Sequence, residues 1–128
     1  MSIEAAFEDL KGKTLSKIIG KTGDDEMLFV TTEGEVYRLY HRQDCCESVD
    51  IEDICGDLAD LIGSPILVSE ESSSDKNPEE YIPPEYQDSF TWTFYLLSTT
   101  RGSVTIRWYG ESNGYYSESV DFERLEGE

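Results

Sequence analysis

The stretch SFTWTFYLLSTTRGSVTIRWYG, residues 89–110, constrains the fold more than any other part of the chain. Side chains alternate in character through both halves, the period of a strand with two distinguishable faces. Phe90, Trp92, Phe94 and Leu96 fall on one face of the first half, and Val104, Ile106 and Trp108 on one face of the second. Thr100-Arg101-Gly102 leaves room only for an antiparallel return between them. The rest of the 128 residues must then cover the apolar faces of this hairpin.

Shorter runs extend the pattern. Phe7–Leu10 reads as a short helix or turn, and TLSKIIGKT (14–22) as a strand. MLFVTT and VYRLYH form a hairpin around Glu33-Gly34-Glu35, PILVSEE is a further strand, and Asn113-Gly114 marks a turn before a last one. From Asp50 the period changes. Ile51, Ile54, Cys55, Leu58, Leu61 and Ile62 recur at helical spacing, Asp50 suits an N-cap, Asp53 suits the first turn, and Gly63-Ser64-Pro65 is a stop. The expected architecture is one α+β domain over 1–128. It has a mostly antiparallel sheet of about six strands, with one amphipathic helix (about 50–62) packed on one face. The Ser-, Pro- and Glu-rich stretch at about 71–89 reads as an acidic, mobile loop.

Charge narrows the partners. Twenty-eight acids against ten bases give a net charge of −18 and a sequence pI near 4.1. Such a surface repels nucleic acid and anionic membranes and attracts cationic partners, including proteins that themselves hold nucleic acid. Charge that only keeps the chain soluble is the plainer alternative. With no basic leader and no apolar run long enough to span a bilayer, a cytoplasmic location is expected.

The acids are not spread evenly. Seven lie between Asp44 and Asp60 with no base, and seven more between Glu70 and Asp88 against Lys76 alone. On a helix, Asp50, Asp53, Asp57 and Asp60 would form one solvent-facing stripe with side chains about 5–6 Å apart. That separation is comparable to neighbouring phosphates on a nucleic-acid strand, so the stripe is a candidate partner-binding surface. A plain solvated helix face is the alternative.

All the cysteines and the one histidine fall within residues 41–57. His41, Cys45, Cys46 and Cys55 make one possible set of four for a tetrahedral zinc ion, with Asp44 or Glu47 able to replace a cysteine. The spacing is not a standard one, and no CxxC pair is present. The competing reading leaves Cys55 as a small hydrophobe on the apolar helix face, Cys45 and Cys46 in a turn, and His41 hydrogen-bonded to a nearby carboxylate.

Catalytic patterns are missing. There is no P-loop, no GxGxxG and no GxSxG, and carboxylates on a solvated stripe have no pocket to tune them. A non-enzymatic protein is expected. RWYGESNGYYS offers Trp108, Tyr109, Tyr115 and Tyr116 as an aromatic lining for a nucleotide, which would make the protein a sponge for a nucleotide signal. A twisted hairpin is the alternative reading of the same residues.

Two blocks, HRQDCCESVDIEDICGDLADLIGSPIL and TWTFYLLSTTRGSVTIRWYGESNGYYSESV, resemble a largely uncharacterised family of small acidic phage and prophage proteins. The resemblance rests on His41, Asp44, Cys45, Cys46 and Glu47 in the first block. In the second it rests on Trp108, Gly110, Asn113, Gly114, Tyr115 and Tyr116, whereas Cys55 is not part of it. It implies an anti-CRISPR protein that binds the Cas9 effector in the cytoplasm of a bacterial host and stops it engaging DNA. It also strengthens the expectation of a structural zinc at the first block. An accessory phage protein with no inhibitory role is the remaining alternative.

Overall fold

The computed structural model describes residues 2–43, 46–83, 85–114 and 116–125. Nine strands form among them: β1 (Ser2–Glu4), β2 (Leu15–Ile19), β3 (Glu26–Thr31), β4 (Val36–Tyr40), β5 (Ser48–Cys55), β6 (Val68–Ser74), β7 (Ser89–Thr99), β8 (Gly102–Ser112) and β9 (Asp121–Leu125). They build two antiparallel sheets, a five-stranded one in the order β1-β9-β4-β3-β2 and a four-stranded one in the order β5-β8-β7-β6. The hairpin at 89–110 is the longest pairing, in unbroken register from Ser89 opposite Ser112 to Thr99 opposite Gly102.

The sheets pack face to face around one apolar core. Met27, Phe29, Leu39 and Phe122 from the first sheet meet Val49, Ile51, Tyr95, Leu97, Val104, Ile106 and Trp108 from the second. The 3-10 turn Phe7–Leu10 plugs the space between them. Its Phe7 ring lies 4.6 Å from Tyr95, 5.3 Å from Phe122 and 6.3 Å from Phe29, so one aromatic side chain ties both sheets together. Full burial of each such side chain contributes about 1.5–3 kcal/mol.

The α+β expectation is overturned, because no amphipathic helix covers a sheet and residues 50–62 are not helical. Residues up to Cys55 belong to β5, and only Leu58–Leu61 turn, as one 3-10 turn capped by Asp57, whose Oδ1 accepts from the Ala59 amide at 3.0 Å. The physical cause is a bulge. Ile51 pairs with Trp108, Asp53 with Arg107 and Ile54 with Ile106, so Glu52 is an extra residue in the ladder. It shifts the alternation by one, and the inward side chains run 49, 51, 54. An i, i+3 spacing that mimics a helix therefore arises inside a strand. Gly56 then closes the helical option, with φ at +116° and only 2.6 Å between an added Cβ and the Ser103 carbonyl oxygen.

Asn113-Gly114 also does a different job from the one its composition suggests. It does not fold β8 back onto β9; the segment after it carries the chain to the other sheet, where β9 lies between β1 and β4. The free edge of β5 is covered by the turn before β3. There the Gly23 amide donates to the Ile51 carbonyl and the Ile51 amide to the Asp24 carbonyl, both at 2.8 Å. Among the described residues no helix is long and apolar enough to cross a membrane.

Candidate functional site: an acidic face on the four-stranded sheet

Because β8 alternates, Val104, Ile106 and Trp108 point into the core, while Arg107 and Tyr109 point away from it. Asp50 sits opposite Tyr109 and Asp53 opposite Arg107, so both acids share this outer face. Arg107 is its organising cation. Its guanidinium holds Glu52 at 2.7 Å and Glu80 at 2.7 Å, and lies 5.1 Å from the Trp92 ring. Glu52 belongs to the first acidic run and Glu80 to the second. One arginine thus draws together two acidic stretches that are separate in sequence.

Residues 75–88 are laid across the same face by side-chain bonds at both ends. The buried Trp92 donates from Nε1 to Asn77 Oδ1 at 2.9 Å, and Asn77 and Gln87 exchange amide hydrogen bonds of 2.9 and 3.2 Å. Gln87 donates onward to the Tyr109 hydroxyl at 2.7 Å, and that hydroxyl donates to Glu111 at 2.6 Å. Burial, with Glu111 beside it, pushes the Tyr109 hydroxyl's pKa well above that of an ordinary tyrosine. The Tyr81 ring stands edge-on to Trp92 at 4.8 Å. Phe90, Trp92, Phe94 and Leu96 do share a face, as alternation requires, and it is this outer one.

Of the four aspartates read as a helical stripe, two reach this face. Asp50 is half-buried, and its carboxyl pKa is raised first by burial and then by the charge of Asp25. Asp53 Oδ1 accepts from the Ile54 amide. Asp57 caps the 3-10 turn instead, and Asp60 packs against Gly102, where an added Cβ would meet Asp60 Oδ2 at 2.8 Å. The stripe dissolves because strand and turn replace the helix that would have aligned it.

The histidine end adjoins the Ser48–Ser112 end of this sheet, where Cys46 shares a cavity with Asp88 and Glu111. His41 and Glu47 are buried, 2.6 Å apart from Nε2 to Oε2. His41 Nδ1 donates to the Ser119 carbonyl at 2.6 Å, because a carbonyl only accepts. A single proton then lies on the line between Nε2 and Glu47. Close by in sequence, Ser112 and Thr91 donate to the buried Glu118, whose backbone oxygen would stand 2.7 Å from a Cβ on Gly110. No other side chain fits there. The two sequence blocks therefore meet: His41 bonds Ser119, and Cys46 and Asn113 line one shallow cavity of about 200 Å³. Glu118, Asn77 and Gln87 were not legible as important, since polar residues carry no periodic signal.

The four residues proposed for zinc are not assembled as a set. Cys45 lies outside the described residues, and Cys46 is disulfide-bonded. Cys55 is a free, exposed thiol at the far end of β5, roughly 20 Å along the strand from Ser48. Asp53 beside it raises its pKa. Among the described residues no three His, Cys, Asp or Glu side chains cluster as a metal site requires. The aromatic set for a nucleotide is split as well. Trp108 is in the core, Tyr109 is on the opposite face, and Tyr115 lies outside the described residues.

A two-sheet β protein with an acidic, loop-covered outer face is the class these features define. Over residues 8–122 the chain matches a domain family of unknown function, DUF7448, and it belongs to that family. Neither curated proteins nor solved structures give a match.

Proposed function

We propose that the protein is a phage-type anti-defence protein, an anti-CRISPR that binds the Cas9 effector through its acidic outer face and blocks engagement of DNA. The observation that supports this reading most is the joining of the two acidic runs by Arg107. It sets Glu52 of β5 beside Glu80 of the loop, with Asp53 opposite Arg107. Arg107 is neutralised on this face by Glu52 and Glu80, leaving Lys76 as the one further base of residues 75–88, and bases around the other sheet are also engaged within the chain. Lys13 and Arg124 pair with Glu35, and Arg38 pairs with Glu26 and Glu123. An acidic face suits the basic groove in which an effector holds nucleic acid, and it would compete there with phosphates.

The test is a gel-shift assay of guide-loaded Cas9 on a target duplex, with the protein added at low and at high salt. Loss of the shifted duplex at low salt, relieved at high salt, is expected. The combined variant Asp50→Asn, Asp53→Asn, Glu79→Gln, Glu85→Gln should weaken inhibition by about tenfold or more. Inhibition that survives these four changes, or an unaltered gel shift with the wild-type protein, contradicts the reading.

A structural zinc at the histidine–cysteine block, read from the sequence on His41, Cys45, Cys46 and Cys55 with Asp44 or Glu47 as substitutes, remains part of this proposal for the reduced protein, although among the described residues no three such side chains are gathered. One geometric observation favours it: a histidine ligand usually has its second ring nitrogen held by a carbonyl, as Ser119 holds Nδ1 here. Native mass spectrometry after reduction should then show one zinc, lost in His41→Ala. A metal-free mass would remove zinc from the account.

A further inference from the structure

The loop on the outer face carries a feature that charge alone does not explain. Ile82 is 90% exposed and Tyr86 79% exposed, the two most exposed large hydrophobic side chains among the described residues, and they lie four positions apart. Single exposed hydrophobics are common on protein surfaces. Here, however, the segment presenting them is closed at its neck and fastened to the sheet. The reciprocal Asn77–Gln87 amide pair draws the two ends together, the Trp92 and Tyr109 bonds anchor that neck, and Tyr81 and Glu80 fix the near limb. A compact surface loop with apposed ends, packed by its own side chains, is an Ω-loop, a form often used for recognition.

Acidic residues predominate in the sequence around the two apolar side chains, with Lys76 the one base of residues 75–88. Glu79, Glu80, Glu85 and Asp88 lie in the same segment, and Tyr86 donates its hydroxyl to Asp88 at 3.0 Å. An apolar centre ringed by charge is the pattern of an interface hot spot, in which aromatic and aliphatic anchors enter a pocket while the rim steers and orients. Because the neck holds the loop in place before binding, little ordering entropy remains to be lost when the anchors dock.

We propose that Ile82 and Tyr86 are the anchors of the binding face, and that they enter an apolar pocket bordered by lysine and arginine on a protein partner. The inference rests on the acidic-face reading and assigns the affinity within it. Acids supply approach and orientation; the two side chains supply most of the grip.

The test measures binding of guide-loaded Cas9 by biolayer interferometry to wild type, to Ile82→Ser/Tyr86→Ser and to the conservative Ile82→Leu/Tyr86→Phe, with the thermal midpoint and sedimentation of each protein alone. At such exposure neither change should lower the midpoint. The serine pair is expected to weaken binding by about thirtyfold or more, the scale of a hot-spot truncation, through faster dissociation, while the conservative pair stays within about threefold of wild type. Binding by the serine pair equal to that of wild type overturns the anchor assignment and leaves the charge reading standing. No binding by the wild-type protein overturns both. A wild-type dimer that the serine pair dissolves would assign the loop to a second copy and would also overturn the proposal.

Discussion

The two faces of the β5-β8-β7-β6 sheet are closed by different means. On the inner face, Trp108, Tyr95, Leu97 and Ile106 pack against the other sheet and against Phe7, and shape governs the fit. Two polar atoms there, the Tyr95 hydroxyl and Trp108 Nε1, are buried without a hydrogen-bond partner, while Ser69 donates to the Phe7 carbonyl at 2.6 Å. On the outer face, the polar atoms of Trp92, Asn77, Gln87 and Tyr109 are paired in one connected network. Apolar burial tolerates many sequences of the right volume. A network of amides and ring N–H groups accepts few arrangements, so it can hold a Ser-, Pro- and Glu-rich segment that could not bury a core of its own. The contrast explains how an acidic segment is held in place on the sheet.

The largest expected effect is on the inner face. Trp108→Ala should cost about 3–5 kcal/mol through the cavity it leaves, seen as a large drop in the midpoint of cooperative denaturant unfolding. Equal sensitivity of the two faces to such truncation would break the contrast.

Next comes the neck. Asn77→Ala leaves the buried Trp92 N–H without its acceptor and should cost about 1–3 kcal/mol. That loss should be local, with faster amide exchange and proteolysis within 75–88 and little change in exchange from β3, β4 and β9. A uniform rise in exchange across both sheets would show that the loop is an integral part of the core.

Tyr95→Phe sharpens the difference from the other side. Burial pushes the Tyr95 hydroxyl's pKa far up, with nearby Glu71 the next cause, and the hydroxyl has no partner in full hydrogen-bond geometry. Its removal should be neutral or stabilising by up to about 1 kcal/mol in the same unfolding measurement. A substantial loss would mean that the hydroxyl has a partner and that the inner face is polar-specified after all.

The smallest effect concerns Asp50. Its folded carboxyl pKa is raised by burial and by Asp25, so the protonated form favours the fold and that contribution is lost as pH rises through the folded pKa. Asp50→Asn should therefore raise neutral-pH stability, by well under about 1 kcal/mol because the carboxylate keeps part of its hydration. The gain should fade in acid. A variant less stable at neutral pH would reverse the sign assigned here.

Much of the strand framework could be read in the residues themselves. The 89–110 hairpin, the 27–41 hairpin and the turn at Phe7–Leu10 follow local patterns that tertiary contacts reinforce. The expected helix failed for a particular reason. A bulge at Glu52 gives Ile51 and Ile54 the spacing of a helix, and only the partner strand reveals it. The last strand was expected, but its move to the opposite sheet depends on a long-range choice that Asn113-Gly114 does not encode. The two acidic runs were visible; their union through Arg107 was not, because an arginine fifty-five residues from Glu52 carries no spacing signal. His41 bonded to a carboxylate was one of the two readings open at the histidine cluster, and Glu47 is that carboxylate.

The most direct test of the central claim, that the loop-covered acidic face is the binding surface, is hydrogen exchange by mass spectrometry with and without guide-loaded Cas9. Protection concentrated in 75–88 and in β5, with 41–47 and 112–120 unchanged, is the result expected. Protection at the His41–Ser119 end, with 75–88 exchanging as in the free protein, would contradict it.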